Sequence, residues 1–403
     1  MDVNELLELR KERGERIANT SQIVKNGKGW LVPSQSTTGK YLVRFRRDEP
    51  ECSCPDFETR HIKCKHIFAV EMTITKQIDA EGNATITKMA RMTYSQNWNA
   101  YDKSQIQQKE LFMKLLNDLC RLIPEPEYVF GRPKMSLRDM VFSSALKVFS
   151  TFSLRRFSTD MRIAQEKSFI EKVPYYSTVA RYMENPEITP IIEQLIKISS
   201  LPLKSIETNF AVDSTGFSAN RYGSWFNFRY RKDEGYREWL KVHVMAGVKT
   251  GIITSLQITG GVSADSPLLP NLVNQTAENF TIQEVVADKG YSSRTNLEAI
   301  NKIGGTAYIP FKSNTTGKAD GSMIWSKMYH YFMYKHDEFL QHYHQRSNVE
   351  TVFHMIKSKF GSAIRSRTST AQKNELLLKI LCHNICVVIQ EMNELGIEGN
   401  FEI

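Results

Sequence analysis

Two kinds of apolar patterning follow one another along the chain, and the change between them divides it. Residues 1–24 read as a short charged helix. Within 28–50, WLVPS and KYLVRF predict two strands joined by a Ser/Thr/Gly turn. A Cys/His-rich stretch then runs into the apolar HIFAVEM. After it, residues 77–104 are polar and patternless, as a linker is. Helical spacing begins at 105 with QIQQKELFMKLLNDLCRLI. Ser136 with Asp139 three residues on is a capping-box signature, and Leu137, Val141, Ala145, Val148 and Phe149 follow at helical spacing. RRFSTDMRIAQEKSFI predicts a second helix, and VPYYSTVARYME a short third one with Ser177 at its N-cap.

From about 205 the texture changes to alternating strands and helices. ETNFAVDSTGF, LKVHVMAGV and GIITSLQITGG read as strands. ADSPLLPNLVNQT reads as a helix with Asp265 as its N-cap and Pro267 in its first turn. IQEVVADKGYSS is a fourth strand, followed by a helix and then TAYIPF. An early meander followed by strand–helix alternation predicts a mixed α/β sheet covered by helices. Within it, His243 is expected to fill the sheet edge, and the aromatic YGSWFNFRY at 222–230 to form a hairpin core.

At 403 residues the chain is too long for one ordinary core. The divisions expected are an N-terminal region over 1–76 with its Cys/His module at 28–72, a linker at 77–104, a helical region at 105–200 and an α/β domain at 205–403. Hydrophobic residues at 41% and charged residues at 24% exclude wholesale disorder. No apolar run of about 18 residues exists, so no membrane helix is expected, and the charged start lacks a signal peptide's apolar core. Three of the six cysteines cluster with a histidine, unlike a secreted disulfide framework, so a reducing cytoplasm is the expected compartment. The net charge of +9 favours a polyanionic partner. That charge lies in stripes: ten Lys/Arg against four Asp/Glu in 131–183, and six against one in 357–379. Three short basic helices with tight connections resemble a helix-turn-helix bundle, with Arg132, Lys134, Arg138, Arg155, Arg156 and Arg162 as candidate DNA contacts.

The acids tell more. Asp213 and Asp288 each end an apolar strand, NFAVD and EVVAD, where open α/β sheets place ligands. An acid after a strand often caps a turn; two on neighbouring strands suit a hard cation such as Mg2+. A third acid is expected from a helix, and HYHQRSNVETVFHMIKSKF supplies Glu350. With Tyr343 at zero and about 100° per residue, Arg346, Glu350 and Lys357 fall at about −60°, −20° and −40°. Val349, Val352, Phe353, Ile356 and Phe360 take the other side.

The spacing Tyr-x2-Arg-x3-Glu-x6-Lys resembles the signature of insertion-sequence transposases of the DDE type, and AVDSTGF and VADKGYSS resemble the segments carrying their two aspartates. LKVHVMAGVKTGII is similar to the insertion between that family's first strands. The resemblance covers roughly 205–390. It implies a ribonuclease H-like fold, with Asp213, Asp288 and Glu350 holding two divalent metals, Mg2+ or Mn2+, and Tyr343, Arg346 and Lys357 contacting DNA near the scissile phosphate. It also implies terminal inverted repeats and target DNA as partners, and a nucleoid-associated protein. In-line displacement at a phosphodiester fits two metals about 3.5–4 Å apart. Water would first cut the element's end, and the 3′-hydroxyl left behind would then attack target DNA. Pairing two ends calls for at least a dimer. No GxxxxGK[ST] loop implicates ATP.

Cys52-x-Cys54, nine residues and Cys64-x-His66 supply four ligands suited to a closed tetrahedral zinc site. The pattern, after two strands and before a helix, resembles the SWIM zinc finger and implies a small ββα module. Arg44, Arg46, Arg47, Arg60, Lys63 and Lys65 surround it, with Lys63 and Lys65 as candidate DNA contacts. Three other readings compete: a nuclease without strand transfer, a non-catalytic DNA-binding regulator, and a zinc-dependent protein adaptor.

Overall fold

The computed structural model describes residues 3–21, 23–26, 29–35, 39–46, 49–60, 62–74, 76–78, 84–86, 97–127, 130–131, 134–219 and 239–401. The chain forms two compact units, dividing after residue 94.

In the first unit α1 (Val3–Thr20) precedes a four-stranded antiparallel sheet of β1 (Val24–Asn26), β2 (Gly29–Pro33), β3 (Lys40–Arg46) and β4 (Glu49–Cys52) in that spatial order. Two of these strands were expected; β1 and β4 are too short to show a pattern of their own. Next come α2 (Pro55–Arg60), α3 (Lys65–Ile74) and an antiparallel pair, β5 (Lys76–Ile78) and β6 (Ala84–Ile86), which fall around the start of the patternless stretch. The charged helix α1 buries one stripe, through Gly14 and Ile17. A Cβ on Gly14 would lie 2.6 Å from Phe68 Cβ, so the glycine is what allows α1 to approach α3.

The second unit opens with α4 (Trp98–Arg121). It starts ahead of 105 because the Asn97 side chain accepts the Ala100 N–H at 3.2 Å. α5 (Leu137–Ser150) is capped by Ser136 as expected, at 3.3 Å from the Asp139 N–H. The reciprocal half of the capping box is not made, because Asp139 accepts the Glu171 N–H at 2.9 Å instead. α6 (Leu154–Glu166) follows, and then α7 (Tyr176–Met183), whose N-cap is Tyr175; Ser177 lies inside the first turn. α8 (Ile188–Ser200) leads into the sheet.

That sheet comprises β7 (Asn209–Ser218), β8 (Trp239–Gly247), β9 (Ile253–Gly260), β10 (Glu284–Ala287) and β11 (Thr306–Tyr308), in spatial order β11-β10-β7-β8-β9. β7, β8 and β9 run antiparallel, while β7, β10 and β11 run parallel. This is the mixed, ribonuclease H-like sheet expected. α9 (Leu269–Ala277) and α10 (Arg294–Lys302) follow β9 and β10. Beyond β11 come α11 (Met323–Tyr334), α12 (His336–Tyr343), α13 (Ser347–Phe360) and α14 (Ser369–Glu394). From Leu376 to Ile389, α14 is buried on all sides, a helix enclosed by the rest of the unit. The segment 222–230 lies outside the described residues.

Candidate catalytic and metal-binding sites

The parallel ladder between β7 and β10 ends with Val212 opposite Ala287. The next residue on each strand is an aspartate, so Asp213 and Asp288 stand side by side. Their routes differ. β7 continues through Ser218 against β8, which puts Asp213 in mid-strand and not at a strand end. Asp288 does follow the end of β10, and its carboxylate accepts the Gly290 N–H, capping the short 3-10 turn Lys289–Tyr291. A Cβ on Gly290 would sit 3.0 Å from that carboxylate, so a side chain there would crowd it.

α13 lies along β7. The signature does not occupy one continuous helix: Tyr343 ends α12, a 3-10 turn spans His344–Arg346, and α13 starts at Ser347. The residues converge nonetheless. Arg346 Nη1 donates to Asp213 Oδ2 at 2.9 Å and Nη2 to Glu350 Oε1 at 2.7 Å. Two residues further along the same face of β7, Thr215 Oγ1 accepts Lys357 Nζ at 2.7 Å, and Lys357 lies 5.3 Å from the Phe217 ring centroid. Val349, Val352, Phe353, Ile356 and Phe360 are buried, as expected. Tyr343 is partly buried against the core.

Burial raises the Asp213 carboxyl above the usual carboxylate range, and Asp288 and Glu350 push the same way; the Ser214 N–H and Arg346 oppose them. Burial lowers the Lys357 ammonium. Asp213, Asp288 and Glu350 thus form an anionic group in which one cation, Arg346, bridges two members. Their hard oxygen donors suit a divalent ion.

Sequence reasoning missed part of this surround. Tyr291 is buried, with its hydroxyl among Asp265, Asp213, Asp288 and Ser214; burial first, then the three aspartates, raise it far above a normal phenol. His243 is not at a sheet edge, since β8 lies between β7 and β9. It is fully buried, with Nε2 2.8 Å from Thr259 Oγ1 and Nδ1 3.2 Å from Asp265 Oδ1. Lys241 Nζ is 2.5 Å from the same oxygen. Asp265 takes the N-cap position of the turn Ser266–Leu268, but its carboxylate serves Lys241 and His243 in place of the helix.

The charge stripe over 357–379 is also less open than it looks in sequence. Lys379 is 2% exposed and donates to Gly361 O and Ala363 O at 2.9 Å each, and burial lowers its pKa to about 8. Glu375 accepts the Arg365 and Ser366 N–H groups. Both residues fasten the segment after α13. Among the helical candidates, Lys134, Arg155, Arg156 and Arg162 are exposed, and Arg132 lies outside the described residues. Arg138 Nε donates to Ile123 O at 2.7 Å and lies 3.9 Å from Glu125.

In the first unit Cys52, Cys54, Cys64 and His66 are all buried, with ligand atoms within 4.8 Å of one another. It is the one such group among the described residues. Cys52 Sγ and Cys64 Sγ are each 3.9 Å from His66 Nδ1. Zinc bonds of about 2.0–2.3 Å put neighbouring tetrahedral donors about 3.5–3.8 Å apart, so the four fit with little adjustment. Contact with Cys52 holds Cys64 down to about 4, and the same contact with burial drives Cys52 up. With every donor buried, this is a structural zinc site. Lys63 pairs with Glu71 at 2.7 Å, and Lys65 opens α3 half-buried.

The second unit thus sets two aspartates at the end of a parallel ladder and a glutamate on the helix alongside. Residues 204–385 match the family model of the transposase DDE domain, and residues 41–74 that of the SWIM zinc finger. The second unit is thus similar to a transposase DDE domain over those residues, and the segment ahead of it to a SWIM zinc finger. No curated protein matches it. Among solved structures it is similar to the piggyBac transposase in a synaptic complex with hairpin DNA, at a TM-score of 0.35 and 11% identity over 72% of this chain and 74% of that one. No helix among the described residues is long and apolar enough to cross a membrane.

Proposed function

We propose that the chain is a DNA transposase that cuts the ends of an insertion sequence and joins them to target DNA. The observation that carries this is the register of β7 and β10, which brings Asp213 and Asp288 together beneath Arg346 and Glu350. These three acids would hold Mg2+ or Mn2+, which would supply activation of the attacking oxygen and stabilisation of the leaving one. The chain's own residues arrange the rest. In the DNA-free chain Arg346 spans Asp213 and Glu350, neutralising part of their mutual repulsion. A scissile phosphate offers that guanidinium a bidentate partner and draws it off the carboxylates. Lys357, held on Thr215, neutralises a second phosphate along the same strand face. Tyr343, one turn before Arg346, lines the approach. Water attacks phosphorus and the 3′-oxygen leaves with a proton; that 3′-hydroxyl then attacks a target phosphodiester and displaces the next 3′-oxygen.

In this reading residues 105–200 grip the terminal inverted repeats through Lys134, Arg155, Arg156 and Arg162, and the zinc module contributes its Lys63–Lys65 segment. Two chains act on two ends as a homodimer, and the protein works at the nucleoid. The test supplies purified chain with Mg2+, DNA carrying the element's terminal repeats, and a target plasmid. Ends cut to a free 3′-hydroxyl and joined to the plasmid are expected. Cutting without joining would replace the transposase with a nuclease, and binding without cutting would leave a regulator.

A further inference from the structure

The turn between α5 and α6 and the start of α7 present aromatic rings at the surface. Phe152 is 40% exposed and Tyr175 66%. The Arg156 guanidinium lies 4.8 Å from the Phe152 ring centroid, and that of Arg155 lies 5.2 Å from the Tyr176 centroid. The rings of Tyr175 and Tyr176 are 4.4 Å apart. Because Arg155 and Arg156 are adjacent, these five side chains make one continuous strip of flat faces and cations.

Among the described residues neither arginine has a carboxylate partner, and the first turn of α6, which carries both, contains no acid. Cations there work against the helix dipole. An anion would relieve the repulsion. The rings restrict which anion: a duplex offers phosphates but hides its base faces, whereas an unpaired strand offers both at neighbouring positions.

The strip also has a defined place relative to the carboxylates. Arg365 Nη1 donates to Thr151 O, fastening the α5–α6 turn to the segment that leaves α13. Phe149 at the end of α5 lies 6.5 Å, ring to ring, from Phe360 at the end of α13. The strip therefore adjoins the C-terminal end of the helix whose last turn carries Lys357 and whose first turn carries Glu350.

We infer that Phe152, Arg155, Arg156, Tyr175 and Tyr176 form a stacking platform for unpaired bases of a DNA strand leaving the carboxylate site. The inference rests on the transposase reading but is separable from it. Fluorescence anisotropy of the full-length chain would compare a short blunt duplex with the same duplex bearing a single-stranded oligothymidine tail. The tailed probe is expected to bind more tightly. Tyr175→Ala and Phe152→Ala should each erase about fivefold to 150-fold of that advantage, the equivalent of roughly 1–3 kcal/mol per stacked base, and leave the blunt probe's affinity unchanged. Arg155→Ala with Arg156→Ala should weaken both probes and flatten their salt dependence. Circular dichroism would confirm folding of each variant, whose altered side chains lie at the surface. Equal affinity of the wild type for both probes, or ring variants that weaken both alike, would overturn the platform while leaving the transposase reading in place. A chain that binds neither probe at low salt would overturn both.

Discussion

Cys52, Cys54, Cys64 and His66 come from one short stretch, are all buried, and already stand at nearly zinc-bonding separations. Asp213, Asp288 and Glu350 come from two strands and a distant helix. Glu350 leaves 60% of its side chain exposed, and Arg346 is placed between two of them. The first group is completed by a metal and then closed, as a structural site must be. The second is held together in the free chain by a cation the protein itself supplies, which a phosphate can take away. The zinc site satisfies its donors locally, whereas the carboxylate group keeps Glu350 exposed and its charges only partly paired.

Zinc removal gives the largest effect that separates the two sites. Structural zinc contributes on the order of 10 kcal/mol or more of folding free energy to small modules. Cys64→Ser, or chelation, should make the first unit sensitive to protease while the second keeps its thermal transition. A first unit that stays resistant without zinc would show that α1, packed on α3 through Gly14, suffices without metal. Next in size is Glu350→Gln. It should slow Mg2+-dependent cleavage on the order of a thousandfold, the equivalent of about 4 kcal/mol. Because the side chain is mostly exposed, the unfolding midpoint in urea should move by no more than about 0.5 kcal/mol. A large stability loss with little loss of rate would make Glu350 a structural ion-pair partner and no more.

Why the two sites differed in how far the sequence revealed them follows from the same contrast. The zinc ligands are local, so their spacing and chemistry were readable directly, as were the buried face of α13 and the five strands of the main sheet. Asp213 and Asp288 were readable as strand-end acids, but their adjacency depends on strand order, and the extension of β7 past Asp213 depends on pairing with β8. The break at His344–Arg346 left no mark in the sequence, because a 3-10 turn joins two helices without proline or glycine. Lys379 and Glu375 read as surface charge, and only packing of α14 against the segment after α13 turns them into buried fasteners. Asp265 looked like a cap because Pro267 follows it; the partner that claims its carboxylate is Lys241, on a strand whose alignment no local pattern gives.

Arg346→Ala tests whether the guanidinium and a divalent ion compete for the same carboxylates. Removing it should strengthen Mn2+ binding to the DNA-free chain, read by calorimetry, by about fivefold to 150-fold, the usual span of coupling between linked ligands. The same variant should bind its DNA ends more weakly. If Mn2+ affinity without DNA falls instead, Arg346 is an organiser of the carboxylates, and the contrast with the self-sufficient zinc site narrows.

The smallest effect concerns pH. Burial holds the Asp213 carboxyl above the usual carboxylate range in the folded chain. Between its unfolded value and this raised one, the folded chain binds more protons than the unfolded chain. The contribution of Asp213 is therefore favourable below the usual carboxylate range and is lost as pH rises through the raised value. Asp213→Asn removes that titration, so its stability should depend less steeply on pH over this window, measured by urea unfolding at a series of pH values with zinc present and divalent chelators absent. If Asp213→Asn instead leaves the slope unaltered, Arg346 already offsets the burial of Asp213 in full. The carboxylate site would then be as relaxed in the free chain as the zinc site, and the release of Arg346 to a phosphate would have to act against an ion pair that the folded chain holds without strain.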